Sequence, residues 1–391
     1  LLHEKPFEGV NGSGKHNNWS IATNDGQNLL NPGSTPMENL QFLTFLCAVI
    51  KGVDEYADLL RISAASAAND HRLGANEAPP AIISIFMGEE LQGVLDALVS
   101  GGTYVSESKT FKIGVDALPD FPKDSTDRNR TSPFAFTGNR FEFRMVGSSE
   151  NIACPNHMLN TIVASELSEI ADKMEGVSAE QFRDELKKLL ADIVKEHKRV
   201  IFNGDGYSEA WVEEAARRGL PNYRTTADCV PHYADEKNVK LFEKFGIFTK
   251  AEVEARVEIL LECYAKTINI ESLTMIDMAK KKYIPVCLSY SKELADAIAV
   301  KKSIEVCTCV ETEMVKKITD LTKKAYDATA KLEEVTAVAA AKTCMKEMAN
   351  AYRDTVLPVM EELRAAVDAL EVLLPSTIWP VPAYSEMIFN V

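Results

Sequence analysis

Beyond Gly246 the sequence contains no glycine, although 19 occur up to and including that position. Turns that need a positive φ or a close backbone approach are thereby concentrated in the first part, and the remainder is left to helix. No apolar stretch comes near the roughly 20 residues that span a bilayer. The longest, FLTFLCAVI at 42–50 and AIISIFM at 81–87, suit buried elements. Basic residues are outnumbered, 43 Lys and Arg against 58 Asp and Glu, which leaves a net charge of -15 over 391 residues. Such a balance argues against a surface built to follow phosphate backbones or anionic lipid, so neither nucleic acid nor a membrane is expected as a partner. Cysteine is sparse and scattered, eight residues without the density of a disulfide framework or the spacing of a four-cysteine zinc site. Reduced thiols in a cytoplasmic protein are expected, the CTC at 307–309 included. A G-x-x-x-x-G-K-[ST] loop is absent as well, so any nucleotide is bound by another architecture.

What is present has ordinary globular composition, 46% hydrophobic and 26% charged, and is long enough for two or three domains with real cores. The first part mixes short apolar or alternating runs with Gly, Pro and Asn clusters, and two helical patterns at 39–64 and 156–176 interrupt them. Gly176 sits where a helix C-terminus often places glycine. From about 250 onward every pattern is helical, and Thr249 with Glu252 fits a capping box. Met314, Ile318, Leu321, Ala325, Ala328, Leu332 and Val335 recur at three-and-four spacing, as do Tyr352, Val356, Leu363, Val367, Leu370 and Leu374. Stripes of that kind bury against a partner helix, either within the chain or in a second subunit. The fold class expected is therefore α+β followed by an all-helical C-terminal domain, with domains at 1–270 and 271–391.

Four clusters in the first 145 residues hold polar groups that a core would not select. NGSGKHNNWS (11–20) joins two loop glycines to His16. NDHRLGANEAPPA (69–81) carries Arg72 and Glu77 in a stretch that reads as loop. DRNRTSP (127–133) is a doubled-arginine loop, and RFEFR (140–144) alternates Arg140, Glu142 and Arg144 with two phenylalanines. Arginines two residues apart on one strand face repel unless anions lie between or above them. That face is either solvated or an anion site, with Glu142 offering hard oxygens to a divalent cation.

Taken in order, NGSGKH, NEAPPA, NRT and RFEFR resemble the signature loops of the glutamine synthetase family, N-G-S-G-x-H, an E-A-P flap, N-R-S and R-x-E-x-R. The form of the 69–86 segment and the helical end WPVPAYSEMIF are similar to the large type III members, and the resemblance runs over essentially the whole chain. It implies a glutamine synthetase-type catalytic domain, a curved antiparallel sheet with flanking helices, N-terminally incomplete, because the family's other metal strand and much of its adenine pocket precede the N-G-S-G loop. The implied reaction joins ammonium to L-glutamate through a γ-glutamyl phosphate at the expense of ATP, with Mg2+ or Mn2+, in a ring-shaped homo-oligomer, a dodecamer by resemblance.

By the same resemblance, Asn11 and Gly12 receive the amino acid, and Arg72 and Arg144 grip its carboxylates. Glu77 shields the intermediate and helps deprotonate ammonium. Arg130 and Arg140 bind phosphate, Asn18 and Ser20 lie on the nucleotide side, and His16 and Glu142 ligate metal. Three departures stand out: Asn18 replaces a histidine, Ala135 falls near the usual second arginine, and the stretch from Asn69 to Glu77 is one residue shorter than the commoner pattern. Two other readings stay open, a ligase of the same family that accepts an amine, and a non-catalytic assembly or regulatory subunit.

Overall fold

The computed structural model describes residues 14–74, 78–104, 110–111, 121–122, 131–382 and 386. They form two compact units, Leu1–Val257 and Glu258–Val391. The first unit runs β1 (Asn17–Trp19), α1 (Leu40–Glu55), α2 (Ala57–Ile62), α3 (Ala67–Arg72), β2 (Ile85–Phe86), α4 (Gly88–Ser100), β3 (Thr110–Phe111), β4 (Phe121–Pro122), β5 (Phe134–Phe136) and β6 (Phe141–Phe143). Five helices follow: α5 (Ala153–Met174), α6 (Phe182–His197), α7 (Glu209–Arg217), α8 (Thr226–Cys229) and α9 (Glu236–Lys244).

Most of the described structure is helix, and the first unit holds a small sheet of order β1-β6-β5-β2. The β1–β6 and β6–β5 pairs are antiparallel, but β2 lies parallel to β5, so the sheet is mixed where an antiparallel one is expected. A parallel pair needs a long crossover, and the chain between β2 and β5 supplies one that contains α4. The strands are only two or three residues long. The alternation in RFEFR sends both phenylalanines inward, where Phe134 stacks on Phe141 at 4.7 Å and Phe136 meets Phe141 edge-on at 5.2 Å.

Helix α1 is the centre of this unit and packs on α5 and α6. Asn39 caps it by accepting from the Phe42 N–H at 3.0 Å. Its buried side includes Lys51 and Asp54 beside Leu43, Leu46 and Ile50, and α2 continues the pattern with Asp58 and Arg61. Each buried charge has a partner on another element. Lys51 meets Glu166 and Glu169 of α5, and Asp54 accepts from His197 Nδ1 at 2.9 Å and Arg199 Nε at 2.8 Å. Asp58 accepts from Lys237 and Asn238 of α9, and Arg61 donates to Asp70 of α3 at 2.8 Å. Buried charge is tolerated only when paired in this way.

Helix α10 (Lys250–Met278) begins with the expected capping box, since Glu252 accepts from the Thr249 N–H at 2.8 Å. The second unit continues with α11 (Ile284–Ser303), α12 (Cys309–Ala340), α13 (Met345–Ala351) and α14 (Leu357–Glu371). Helix α12 packs against both α11 and α14, and Ile318, Ala325, Leu332, Val356, Leu363 and Leu370 are buried there. Both stripes are thus used within the chain. Single π turns at 279–283 and 352–356 precede Pro285 and Pro358. Each proline would clash with the carbonyl four residues back, and the wider turn makes the room. Cys307, in the break between α11 and α12, is joined to Cys309, the first residue of α12, a correction to the expected free thiols. Cys47, Cys229 and Cys287 are buried, whereas Cys263 and Cys344 are exposed.

Candidate functional site

The candidate residues meet where β1, β6, the end of α3 and the strand-like stretch after β6 come together. Lys15 donates its backbone N–H to Val146 at 2.9 Å, and Gly14 bridges to Gly147. That places His16 one step before β1, with its side chain reaching Glu142 of β6. The His16 Nδ1 to Glu142 Oε1 distance is 2.6 Å; the imidazole is 61% exposed and the carboxylate 6%. The second oxygen of Glu142 accepts from Arg144 twice, from Nη2 at 2.8 Å and Nε at 3.1 Å. Burial would raise the Glu142 carboxyl, but the hydrogen bond and charge of Arg144, with those of His16, outweigh it and hold the group below its ordinary value.

Arg72 closes the cluster from α3. Its guanidinium donates to the carbonyls of Met145 and Arg144, both at 3.1 Å. It also passes so close to Gly14 that a Cβ there would lie 2.2 Å from Nη2, so position 14 admits no side chain while Arg72 keeps this place. Arg72 is the last residue of a capped helix, started by Ser66 accepting from the Asn69 N–H. This corrects the expectation that the whole 69–81 stretch is loop, because the Ser66 cap lies just upstream of the segment considered. Arg72, Glu142 and Arg144 are all at most 5% exposed, so the face of RFEFR that carries Glu142 and Arg144 is not solvated.

Arg140 is different. It is exposed at the β5–β6 hairpin, where its carbonyl accepts from the Thr137 N–H at 2.8 Å. Ser20 is tied to the same hairpin, its hydroxyl within 3.2 Å of the Asn139 carbonyl. Asn18 pairs with Glu142 in the β1–β6 register and is exposed. Ala135, opposite Glu142 on β5, is buried. Asn11, Gly12, Glu77 and Arg130 lie outside the described residues.

Several supporting residues escape a motif-led reading. Lys15 Nζ donates to the Ser148 carbonyl at 2.6 Å and to that of Glu150. Asn69, fully buried, donates to the carbonyls of Ala64 and Met145 at 2.7 and 2.8 Å. Glu150 accepts from Ser66 at 2.7 Å and from the Gly147 N–H at 3.1 Å. The one available signal is spacing: Asn69 stands three residues before Arg72, one helical turn away on the same face.

His16 Nδ1 and Glu142 Oε1 face each other directly, an imidazole nitrogen and a hard carboxylate oxygen of the types that ligate divalent cations. Among the described residues no group of three or more His, Cys, Asp or Glu gathers for a metal, and no helix is long and apolar enough to cross a membrane.

The family model of the glutamine synthetase C-terminal domain matches residues 185–302. Over its entire length the chain is 47% identical to a glutamine synthetase of Butyrivibrio fibrisolvens, of which it covers 56%. It is 42% identical to the type-3 glutamine synthetase of Dictyostelium discoideum, covering 54%, and 41% identical to a glutamine synthetase of Bacteroides fragilis, covering 55%. The chain spans about half the length of the curated relatives it matches. With the motif residues His16, Arg72, Glu142 and Arg144 gathered at one place and the whole of this chain matched to part of relatives that share one name, this chain belongs to the glutamine synthetase family.

Proposed function

We propose that this chain contributes the glutamate and phosphate side of an ATP-dependent glutamate–ammonia ligase. The observation that supports it most is the contact set of His16, Glu142, Arg144 and Arg72, which joins three sequence-distant motifs into one charged, largely buried cluster. A carboxylate is a poor electrophile, so joining it to ammonia requires prior activation; phosphorylation of the glutamate side chain supplies a leaving group. Negative charge grows on the transferring phosphoryl group, and cationic side chains fixed in advance stabilise it without reorganisation.

In this reading Arg144 and Arg72 bind the glutamate carboxylates. Arg130 and Arg140 take phosphate oxygens, while Asn11 and Gly12 seat the amino acid. Asn18 and Ser20 face the nucleotide, with a neutral amide donor where a histidine is usual. Glu77 serves as the base that makes ammonium nucleophilic, and its segment excludes the water that would hydrolyse the acyl phosphate. His16 and Glu142 would hold Mg2+ or Mn2+, which when bound supplies positive charge beside the phosphates. The proposal extends to a homo-oligomeric ring.

The test is ADP release from ATP with Mg2+, assayed for this chain alone and for the full-length protein that contains it. Release that requires both glutamate and ammonium is the expected result for the full-length protein. Release independent of ammonium, or supported only by an alkylamine, would replace ammonia with another acceptor.

A further inference from the structure

The motifs account for residues 11–20, 69–81, 127–133 and 140–144, yet a glycine outside them, in FNGDGYSEAW at 202–211, sits where an added side chain would press on backbone. Gly206 donates its N–H to Thr131 Oγ1 at 2.8 Å. A Cβ at Gly206 would lie 2.9 Å from the Thr131 carbonyl oxygen and 3.5 Å from Pro80 Cδ. Thr131 follows Arg130 directly in the chain, and Pro80 lies three residues after Glu77. Gly206 is therefore bonded to the residue that follows Arg130, and any side chain at 206 would also meet Pro80, about 50 residues away in sequence.

The rest of the loop grips the same ground. Phe202 donates its N–H to the Ile85 carbonyl at 2.9 Å, and Ile201 bridges to Ile85 in parallel. Asn203 Oδ1 accepts from the N–H groups of Met87 and Gly88 at 2.9 and 3.1 Å. It thereby caps α4 from outside, where Met87 offers no side-chain cap. The loop is anchored at its back by Phe202 stacked on Trp211 at 3.7 Å, with Arg218 over both rings. Ser208 starts α7 by capping the Trp211 N–H.

We propose that the 202–208 loop is a brace and that Gly206 is its positioning residue, fixing the segment after Glu77 and the segment after Arg130 against each other. The inference rests on the function proposed above for Glu77 and Arg130. Its physical content is that residue 206 must lack a side chain, and residue 131 must carry a hydroxyl, for the two segments to keep their spacing. An ångström of displacement at a phosphoryl-transfer site costs rate more than it costs folding.

The experiment uses the full-length protein and four variants: Gly206→Ala, Thr131→Val, Thr131→Ser and the core control Leu241→Ala on α9. Expected for Gly206→Ala and for Thr131→Val is a fall in kcat of about tenfold or more, with the glutamate KM within about threefold of wild type. Thr131→Ser restores the hydroxyl and most of kcat. The double variant Gly206→Ala with Thr131→Val is no slower than the worse single one, since both break the same contact. Amide hydrogen exchange, read in parallel, quickens at 78–88 and 131–136 in Gly206→Ala but not at 40–55. A wild-type protein that makes no glutamine overturns the function, and exchange alone then decides the brace. Exchange that quickens only within 202–208, or a kcat loss in Leu241→Ala matching that of Gly206→Ala, overturns the brace.

Discussion

Glu142 is engaged on both oxygens, one facing His16 and one accepting twice from Arg144. Replacing it with Gln keeps the shape and removes the charge that both neighbours use. Hydrogen bonds to charged groups are worth about 1.5–3 kcal/mol, so Glu142→Gln is expected to cost about 2 kcal/mol, read as a lowered urea midpoint at pH 7. The sign of its pH dependence follows from a carboxyl held below its ordinary value. Its contribution is present above the usual carboxylate range and is lost as pH falls through the folded value. The gap between wild type and variant should therefore close below about pH 4; a gap that widened there would contradict the assignment. At this scale the sequence was informative where chemistry repeats at short spacing. RFEFR announced its charged face, but nothing in its pattern said that Glu142 and Arg144 would be buried and Arg140 left in solvent. That difference arises because the hairpin turns at Thr137–Arg140, a tertiary choice that alternation does not encode.

Among the elements, α1 is the one whose interior face is least like a core. Lys51 stands among Glu55, Glu166 and Glu169, with Tyr56 nearby, and Glu166 is wholly buried on α5. Burial pushes the Glu166 carboxyl up to about 7, against the hydrogen bond and charge of Lys51, and the neighbouring Glu55 and Glu169 add to the rise. Between the ordinary glutamate value and about 7 the folded state then holds a proton that the unfolded state has released. Stability attributable to this group declines as pH rises across that interval and is level above it. Glu166→Gln should flatten the decline, measured as urea midpoints at pH 5, 6, 7 and 8. An unchanged slope would place the titration elsewhere. The helical stripe over 39–64 made α1 and α2 legible, because hydrophobic spacing is a local property. Its charged partners on α3, α5, α6 and α9 were not, since each pair joins residues far apart in sequence. The sheet was read too generously for the same reason: β2 to β6 are two or three residues each, held by pairing with one another instead of by their own propensity.

For the molecule as a whole, the loss of glycine after Gly246 marked the change of architecture, and from Glu258 to Glu371 every residue of the second unit lies in helix or in a short connection between helices. The distribution of thiols has a practical consequence for labelling. Burial pushes the thiols of Cys47 and Cys229 up to about 12 and that of Cys154 up to about 11, with nearby Glu150 adding to the last. Cys287 is raised in the same direction. Thiolates, not thiols, react with maleimides, so these four are withheld in the native fold. Cys263 and Cys344 are exposed, and Cys307 and Cys309 are masked by each other. Intact-mass analysis of the native chain should show two maleimide adducts without reductant and four after mild reduction. Adducts on Cys47 or Cys229 at neutral pH would mean that the first unit opens. All four addressable sulfurs lie on the glycine-free unit, so a fluorophore pair placed at Cys263 and Cys344 can follow that unit's own unfolding while the motif-bearing unit stays chemically unmodified.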